Sequence, residues 1–242
     1  VSELLAALGL GRGDVVALCG AGGKSTLARA LRDAALASGL RVALTATTHC
    51  GVLGDTLTLA AGAGEAAVAD ALGRLGAVQV VAAVGERGRA RGLAPEAVGA
   101  LAAHADLVIA EADGARGRRL KAPGDHEPLL PRPCTVVVAV CSLAALGGRL
   151  DEKGVHRLER VLALSGRRRG EAIDVDVLAA AFGPGGYGSV GAASRRVLFV
   201  VEAGAPPERS AELATRLAGH YQRVVAGDAL RGVVRALSSS RC

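Results

Sequence analysis

The sequence predicts an α/β fold, a mostly parallel sheet with helices on both faces. Three observations predict it. Short apolar runs built from Val, Leu and Ala alternate with helical stretches along the chain. A glycine-rich turn with one lysine, Gly20-Ala-Gly-Gly-Lys-Ser-Thr26, stands between an early apolar run and the first long helix. The polar residues able to do chemistry fall just after the apolar runs, and ligands of such sheets bind beyond the carboxyl ends of the strands.

Each element has its own signal. Residues 2–8 read as a short helix with Ser2 as N-cap. Residues 14–19 (DVVALC) are a β-rich run, and the glycine turn leads into a helix over 26–38 closed by Gly39. A strand over 41–45 ends in Thr45-Ala-Thr-Thr-His49. A helix is expected over 65–75, a strand over 78–84, and a helix over 95–103 with Pro95 in its first turn. The buried strand over 107–110 runs into Glu111-Ala-Asp-Gly114, and another strand covers 135–141. Cys134 and Cys141 bracket that run at odd spacing, which predicts opposite faces. Beyond residue 150 the pattern weakens. Residues 151–164 and 174–181 look helical, and 183–191, with five glycines in nine residues, reads as a mobile loop or linker. Strands over 197–201 and 221–225 flank a helix over 207–219. Residues 1–150 are therefore read as a P-loop nucleotide-binding core, and 151–242 as a helical segment and C-terminal α/β completion of the same domain.

Composition narrows the function. Half of the 242 residues are hydrophobic and 21% are charged, a globular balance. Of 29 basic residues only Lys24, Lys121 and Lys153 are lysines, so a lysine inside a glycine turn stands out. Lysine is a compact point charge that fits a backbone cradle; arginine is a planar fork. The net charge of +6 is clumped in arginines at 87–91, 116–119, 167–169 and 195–196, which suits anionic partners. Nucleic acid is the least favoured of these, because two Phe and two Tyr offer few stacking platforms. The five cysteines form no C-x-x-C pair, so neither a disulfide framework nor a zinc site follows. The first residues include Glu3 and lack a basic region, and no apolar run approaches the ~20 residues that cross a bilayer. A cytoplasmic protein without membrane partners is expected.

The residues that carry chemistry fall into four groups. In the first, Gly20, Ala21, Gly22, Gly23, Lys24, Ser25 and Thr26 form a nucleotide-binding turn. Glycines let backbone N–H groups face a phosphate, and the helix N-terminus adds partial positive charge. Lys24 reaches the β- and γ-phosphates, and Ser25 joins the Mg²⁺ shell. Against the spacing G-x-x-x-x-G-K-[ST], position 18 is Leu18 where glycine is expected, so Gly20 and Gly22 close a tighter loop. The second group is Glu111 and Asp113 after a buried strand, the place of a metal-organising acid. One is expected to hold Mg²⁺ through water, and the other to orient a nucleophile. Catalytic roles are thus expected for Lys24, Glu111 and Asp113, and metal roles for Ser25, Thr48 and Asp113. The third group is Thr45 to His49, with hydroxyls for metal or γ-phosphate and His49 as acid, base or partner contact. The fourth is the basic, proline-punctuated segment 116–131, where Arg116, Lys121 and His126 are expected to meet phosphate or a partner, as are His156 and Arg157. The α/β pattern with this turn makes the fold P-loop NTPase-like.

Together these residues resemble the selenium-dependent hydroxylase accessory protein family (YqeC-like). The resemblance is carried by Gly20-Ala-Gly-Gly-Lys-Ser-Thr26, Thr45-Ala-Thr-Thr-His49, Glu111-Ala-Asp-Gly-Ala-Arg-Gly117, Leu120-Lys-Ala-Pro123, Asp125-His-Glu-Pro128 and Val155-His-Arg157, over half the chain. It implies a nucleotide-dependent accessory protein that helps mature a molybdenum hydroxylase or insert its cofactor, with Mg²⁺ and ATP or GTP. An Mg²⁺-dependent NTPase is the leading expectation. A non-hydrolysing, nucleotide-responsive binding module and a small-molecule kinase using the same loop remain open. Where the family pattern has an Asn-Lys-x-Asp-like end to a late strand, this chain has Val201-Glu-Ala-Gly204, so no guanine preference carries over.

Overall fold

The computed structural model describes residues 2–191 and 194–239. Nine apolar runs pair into one sheet. In chain order they are β1 (Asp14–Gly20), β2 (Val42–Ala46), β3 (Thr58–Ala60), β4 (Ala77–Val81), β5 (Leu107–Glu111), β6 (Val136–Ser142), β7 (Arg195–Val201), β8 (Arg223–Asp228) and β9 (Val233–Ser239). Their spatial order is β9-β8-β7-β6-β1-β5-β2-β4-β3. Every pair is parallel except β8 with β9. β1 lies between β5 and β6, with Leu18 opposite Glu111 and Gly20 opposite Val140. The strand that enters the glycine turn therefore has the acid-tipped strand as its direct neighbour.

Among the described residues seven α-helices cover the sheet. They are α1 (Glu3–Leu8), α2 (Lys24–Ala37), α3 (Glu65–Leu75), α4 (Val98–Leu101), α5 (Leu158–Ser165), α6 (Val175–Phe182) and α7 (Pro207–Arg216). Leu27, Ala28, Leu31 and Ala35 recur every three to four residues, so α2 has one apolar stripe. That stripe packs with α1 on Val16, Leu18, Ile109 and Val138. Each buried leucine there contributes about 1.5–3 kcal/mol. The alternate residues of the same strands face the other way. Val15 and Val108 meet α3 and α4, while Cys19, Ala139 and Val200 meet α5, α6 and α7. Both faces are thus covered, which is why the strands read as unbroken apolar runs.

The structure corrects several expectations. The run over 78–84 splits: β4 ends at Val81, and Ala83–Val84 leaves the main sheet for a small antiparallel sheet with His49–Gly51 and Arg89–Arg91. The expected helix over 95–103 opens as a 3₁₀ turn before α4. Residues 151–157 are not helical. The Asp151 carboxylate accepts from the Lys153 and Gly154 N–H groups, forming a turn, and Val155–His156 then pairs with Leu120–Lys121. This turn chemistry outcompetes the helix until Leu158. Segment 183–191 is not a linker either, because Tyr187 within it is fully buried against Phe182. Cys134 precedes β6 and packs in the same cluster as Cys141, so strand alternation does not separate them. β3 and β9 were not expected: one has three residues, and the other is an edge strand returning antiparallel.

Candidate functional site

The glycine turn sits where β1 meets α2, and its backbone requires glycine. Gly20, Gly22 and Gly23 have φ of 95°, 76° and 148°, in the range side chains avoid. A Cβ on Gly20 would lie 2.4 Å from the Val140 carbonyl oxygen, and one on Gly22 would lie 2.5 Å from Ser142 Cβ. With no side chains in the way, the turn presents backbone directly to a cavity of about 1230 Å³. Gly22, Gly23, Lys24, Ser25 and Thr26 all line this cavity; Gly20 and Ala21 lie buried beneath. The first N–H groups of α2 have no partners within the helix and add positive potential.

Behind the turn is a buried charge network centred on Asp113, which is 1% exposed. Its Oδ1 lies 3.1 Å from Lys24 Nζ, and its Oδ2 lies 3.2 Å from Lys121 Nζ. Oδ2 also accepts from the Gly20 N–H at 3.1 Å and from the Tyr187 hydroxyl at 2.5 Å. Lys121 donates to the Gly114 carbonyl at 2.7 Å and meets Glu127 at 2.8 Å. Arg157 Nε donates to the same Glu127 oxygen at 2.9 Å. Burial alone would raise the Glu127 carboxyl, but the hydrogen bonds from Arg157 and Lys121 outweigh it and hold its pKa at about 2. Burial raises the Tyr187 phenol well above its ordinary value, and the Asp113 charge adds to the shift.

Lys24 donates to the Gly20 carbonyl at 2.5 Å, while Asp113 Oδ1 receives no hydrogen bond. An ammonium has three donors, so Lys24 is tethered by one bond and by charge and retains donors for an anion.

Glu111 and Asp113 are brought together but face different partners. Glu111 is half-buried at the end of β5 and accepts from Ser25 Oγ at 2.8 Å. Asp113 also lines the cavity, but its oxygens face the Lys24 and Lys121 ammonium groups, which compete with a cation for them. A metal contact through Asp113 would have to displace one of those ammonium groups, whereas Glu111 meets only the Ser25 hydroxyl. Thr45 and Thr47 spend their hydroxyls on the Val80 and Leu129 carbonyls. Thr48 Oγ1 is buried at the cavity without a hydrogen-bond partner, and His49 is exposed on the same wall.

Among the basic candidates, Arg116, His156 and Arg157 line the cavity. Lys121 was expected to meet phosphate or a partner; it is 0% exposed and belongs to the charge network. Segment 120–123 is buried with it. His126 is exposed and does not line the cavity. Sequence reasoning missed Tyr187 and the place of Glu127. A signal for Tyr187 existed: it is one of two tyrosines in the chain, and a buried phenol needs a partner. Among the described residues no group of three or more His, Cys, Asp or Glu could hold a metal by itself, and no helix is long and apolar enough to cross a membrane.

The fold and site define an α/β protein with a glycine-turn, lysine-bearing cavity at the carboxyl edge of a parallel sheet. The chain belongs to the YqeC family. The family model described as YqeC protein matches residues 16–159, which include the glycine turn, Thr45 to His49, both acids and Lys121. The chain is similar to the uncharacterized protein YqeC of Escherichia coli (strain K12), with 31% identity over 202 residues, 78% of this chain and 76% of that protein. No solved structure matches it.

Proposed function

We propose that this chain is an Mg²⁺-dependent nucleoside-triphosphate-binding protein that assists maturation or cofactor insertion of a selenium-dependent molybdenum hydroxylase. The observation that carries the nucleotide reading is the turn from Gly22 and Gly23 into α2, with Lys24 beside it and a large cavity in front. The client follows from the resemblance of the motifs.

The donors at the cavity suit Mg²⁺, a hard cation that binds oxygen and keeps several waters. Ser25, Glu111 and the unpartnered Thr48 hydroxyl would hold it. The ion would neutralise charge between the outer phosphates. Lys24 would turn its remaining donors to the phosphates, and Asp113 would keep that ammonium at the turn.

Thermal shift tests the reading. Ligand at 100 times its dissociation constant stabilises by about 2.7 kcal/mol. The wild type should show this with ATP or GTP plus Mg²⁺, and Lys24→Ala should not. Equal shifts in both proteins would remove the assignment. The client is tested separately, by hydroxylase activity in cells whose only copy is Lys24→Ala.

A further inference from the structure

The cavity does not stop at the glycine turn. Beyond Ser25 and Glu111 it runs to Arg116, Arg118, His156 and Arg157, and a second cavity of about 700 Å³ shares these four residues. If Lys24 and Ser25 mark the outer phosphates, this chamber lies past the end of the triphosphate.

Its walls hold four arginines, of which Arg157 is paired with Glu127. Arg118 donates to the Arg116 carbonyl at 2.8 Å and the Glu152 carbonyl at 3.1 Å, so it is oriented by backbone. Arg116, Arg118 and Arg160 form no ion pair among the described residues. Three acids share the wall: Glu152 and Glu159 divide the single charge of Arg169 between them, and Asp125 stands opposite the remaining arginines.

The wall is also built. Val155–His156 pairs with Leu120–Lys121, which anchors this edge to the buried network. The Arg157 guanidinium lies over Gly124, where a Cβ would come within 2.8 Å of Cζ. Arg116 and Arg157 both hold left-handed backbone, with φ of 50° and 59°. Such conformations cost on the order of 1–3 kcal/mol and cluster at ligand sites. Burial holds His156 below its ordinary pKa, with Lys121, Arg157 and Arg116 adding to the effect. A neutral imidazole there can donate or accept a hydrogen bond.

We propose that this chamber binds a second, phosphate-bearing small molecule at the same time as the triphosphate. Guanidinium groups fit phosphate by paired hydrogen bonds. Simultaneous occupancy rests on the triphosphate reading of the glycine turn; the anion site itself does not.

The probe is inorganic phosphate, titrated calorimetrically into the full chain saturated with Mg²⁺ and a non-hydrolysable ATP or GTP analogue. One phosphate should bind per chain. Arg118→Ala should weaken it at least tenfold. Arg160→Ala should weaken it several-fold while leaving analogue affinity unchanged. Displacement of phosphate by the analogue, absence of phosphate binding, or wild-type phosphate affinity in both arginine variants would overturn the proposal. If neither analogue binds, the triphosphate reading fails, and the chamber is judged in Lys24→Ala alone. Phosphate binding retained there, and lost when Arg118→Ala is added, supports the anion site; any other result removes it.

Discussion

Tyr187 and Asp113, 74 positions apart, share a buried hydrogen bond of 2.5 Å, the phenol donating to the carboxylate. The bond fastens the segment before β7 to the acid behind the glycine turn. Tyr187 lies outside the stretch matched to the family, residues 16–159. In Tyr187→Phe the Asp113 oxygen keeps Lys121 and the Gly20 N–H but loses a donor. A buried charged group short of a donor costs about 1–3 kcal/mol. Urea denaturation should show a lower midpoint with an unchanged slope. No change would mean that the hydroxyl is dispensable.

Lys121 should behave as a core residue and not as a surface contact. Lys121→Met keeps the aliphatic bulk but strands Asp113 and Glu127 with one ammonium fewer. Breaking a buried pair by removing one partner costs roughly 3–5 kcal/mol. A marked fall in melting temperature is expected, larger than for Lys153→Met at an exposed position. Equal melting temperatures for the two would contradict the burial.

The turn should reject side chains. Gly22→Ala places a methyl 2.5 Å from Ser142 Cβ at a φ of 76°. Alanine at positive φ destabilises by more than about 1 kcal/mol. Triphosphate binding should weaken with it, whereas Gly117→Ala, also at positive φ but with nothing near its Cβ, should leave binding intact. Similar binding losses in both variants would mean that backbone strain, and not the close approach, governs the turn.

Glu127 makes stability depend on acid. Its folded pKa, about 2, lies below the ordinary 4.5. A depressed carboxyl stabilises the fold fully above the unfolded value, and that contribution disappears as pH falls from about 4.5 to about 2. Denaturant midpoints should therefore fall across this window, and the fall should be shallower in Glu127→Gln. Identical pH profiles would show that Glu127 is not the group responsible.

The two acids should separate by readout. Glu111→Gln removes charge beside Ser25 and should reduce the Mg²⁺ dependence of triphosphate binding while leaving stability nearly unchanged. Asp113→Asn strips the counter-charge from Lys24 and Lys121 and should lower stability with or without Mg²⁺. Reversed effects would return the metal role to Asp113.

The alternation of apolar runs and helices was enough to read the parallel sheet, because strands buried on both faces must be apolar throughout. The glycine turn was legible for the same kind of local reason: three positive φ values in four residues leave little choice but glycine. Glu111, Asp113, Thr48 and His49 could be placed near it because each follows a strand. What each side chain does there was decided by the tertiary structure. Glu111 and Asp113 stand two positions apart, yet one faces Ser25 and the other two lysines, because the partners arrive from α2, from the strand at 120–121 and from Tyr187. Likewise Lys121 reads as a surface charge in a basic segment until Asp113, Gly114 and Glu127 are folded around it. Local sequence determines backbone conformation and burial pattern, since those depend on near neighbours. The state of a buried charge depends on which distant groups compensate it, and only the folded chain supplies them.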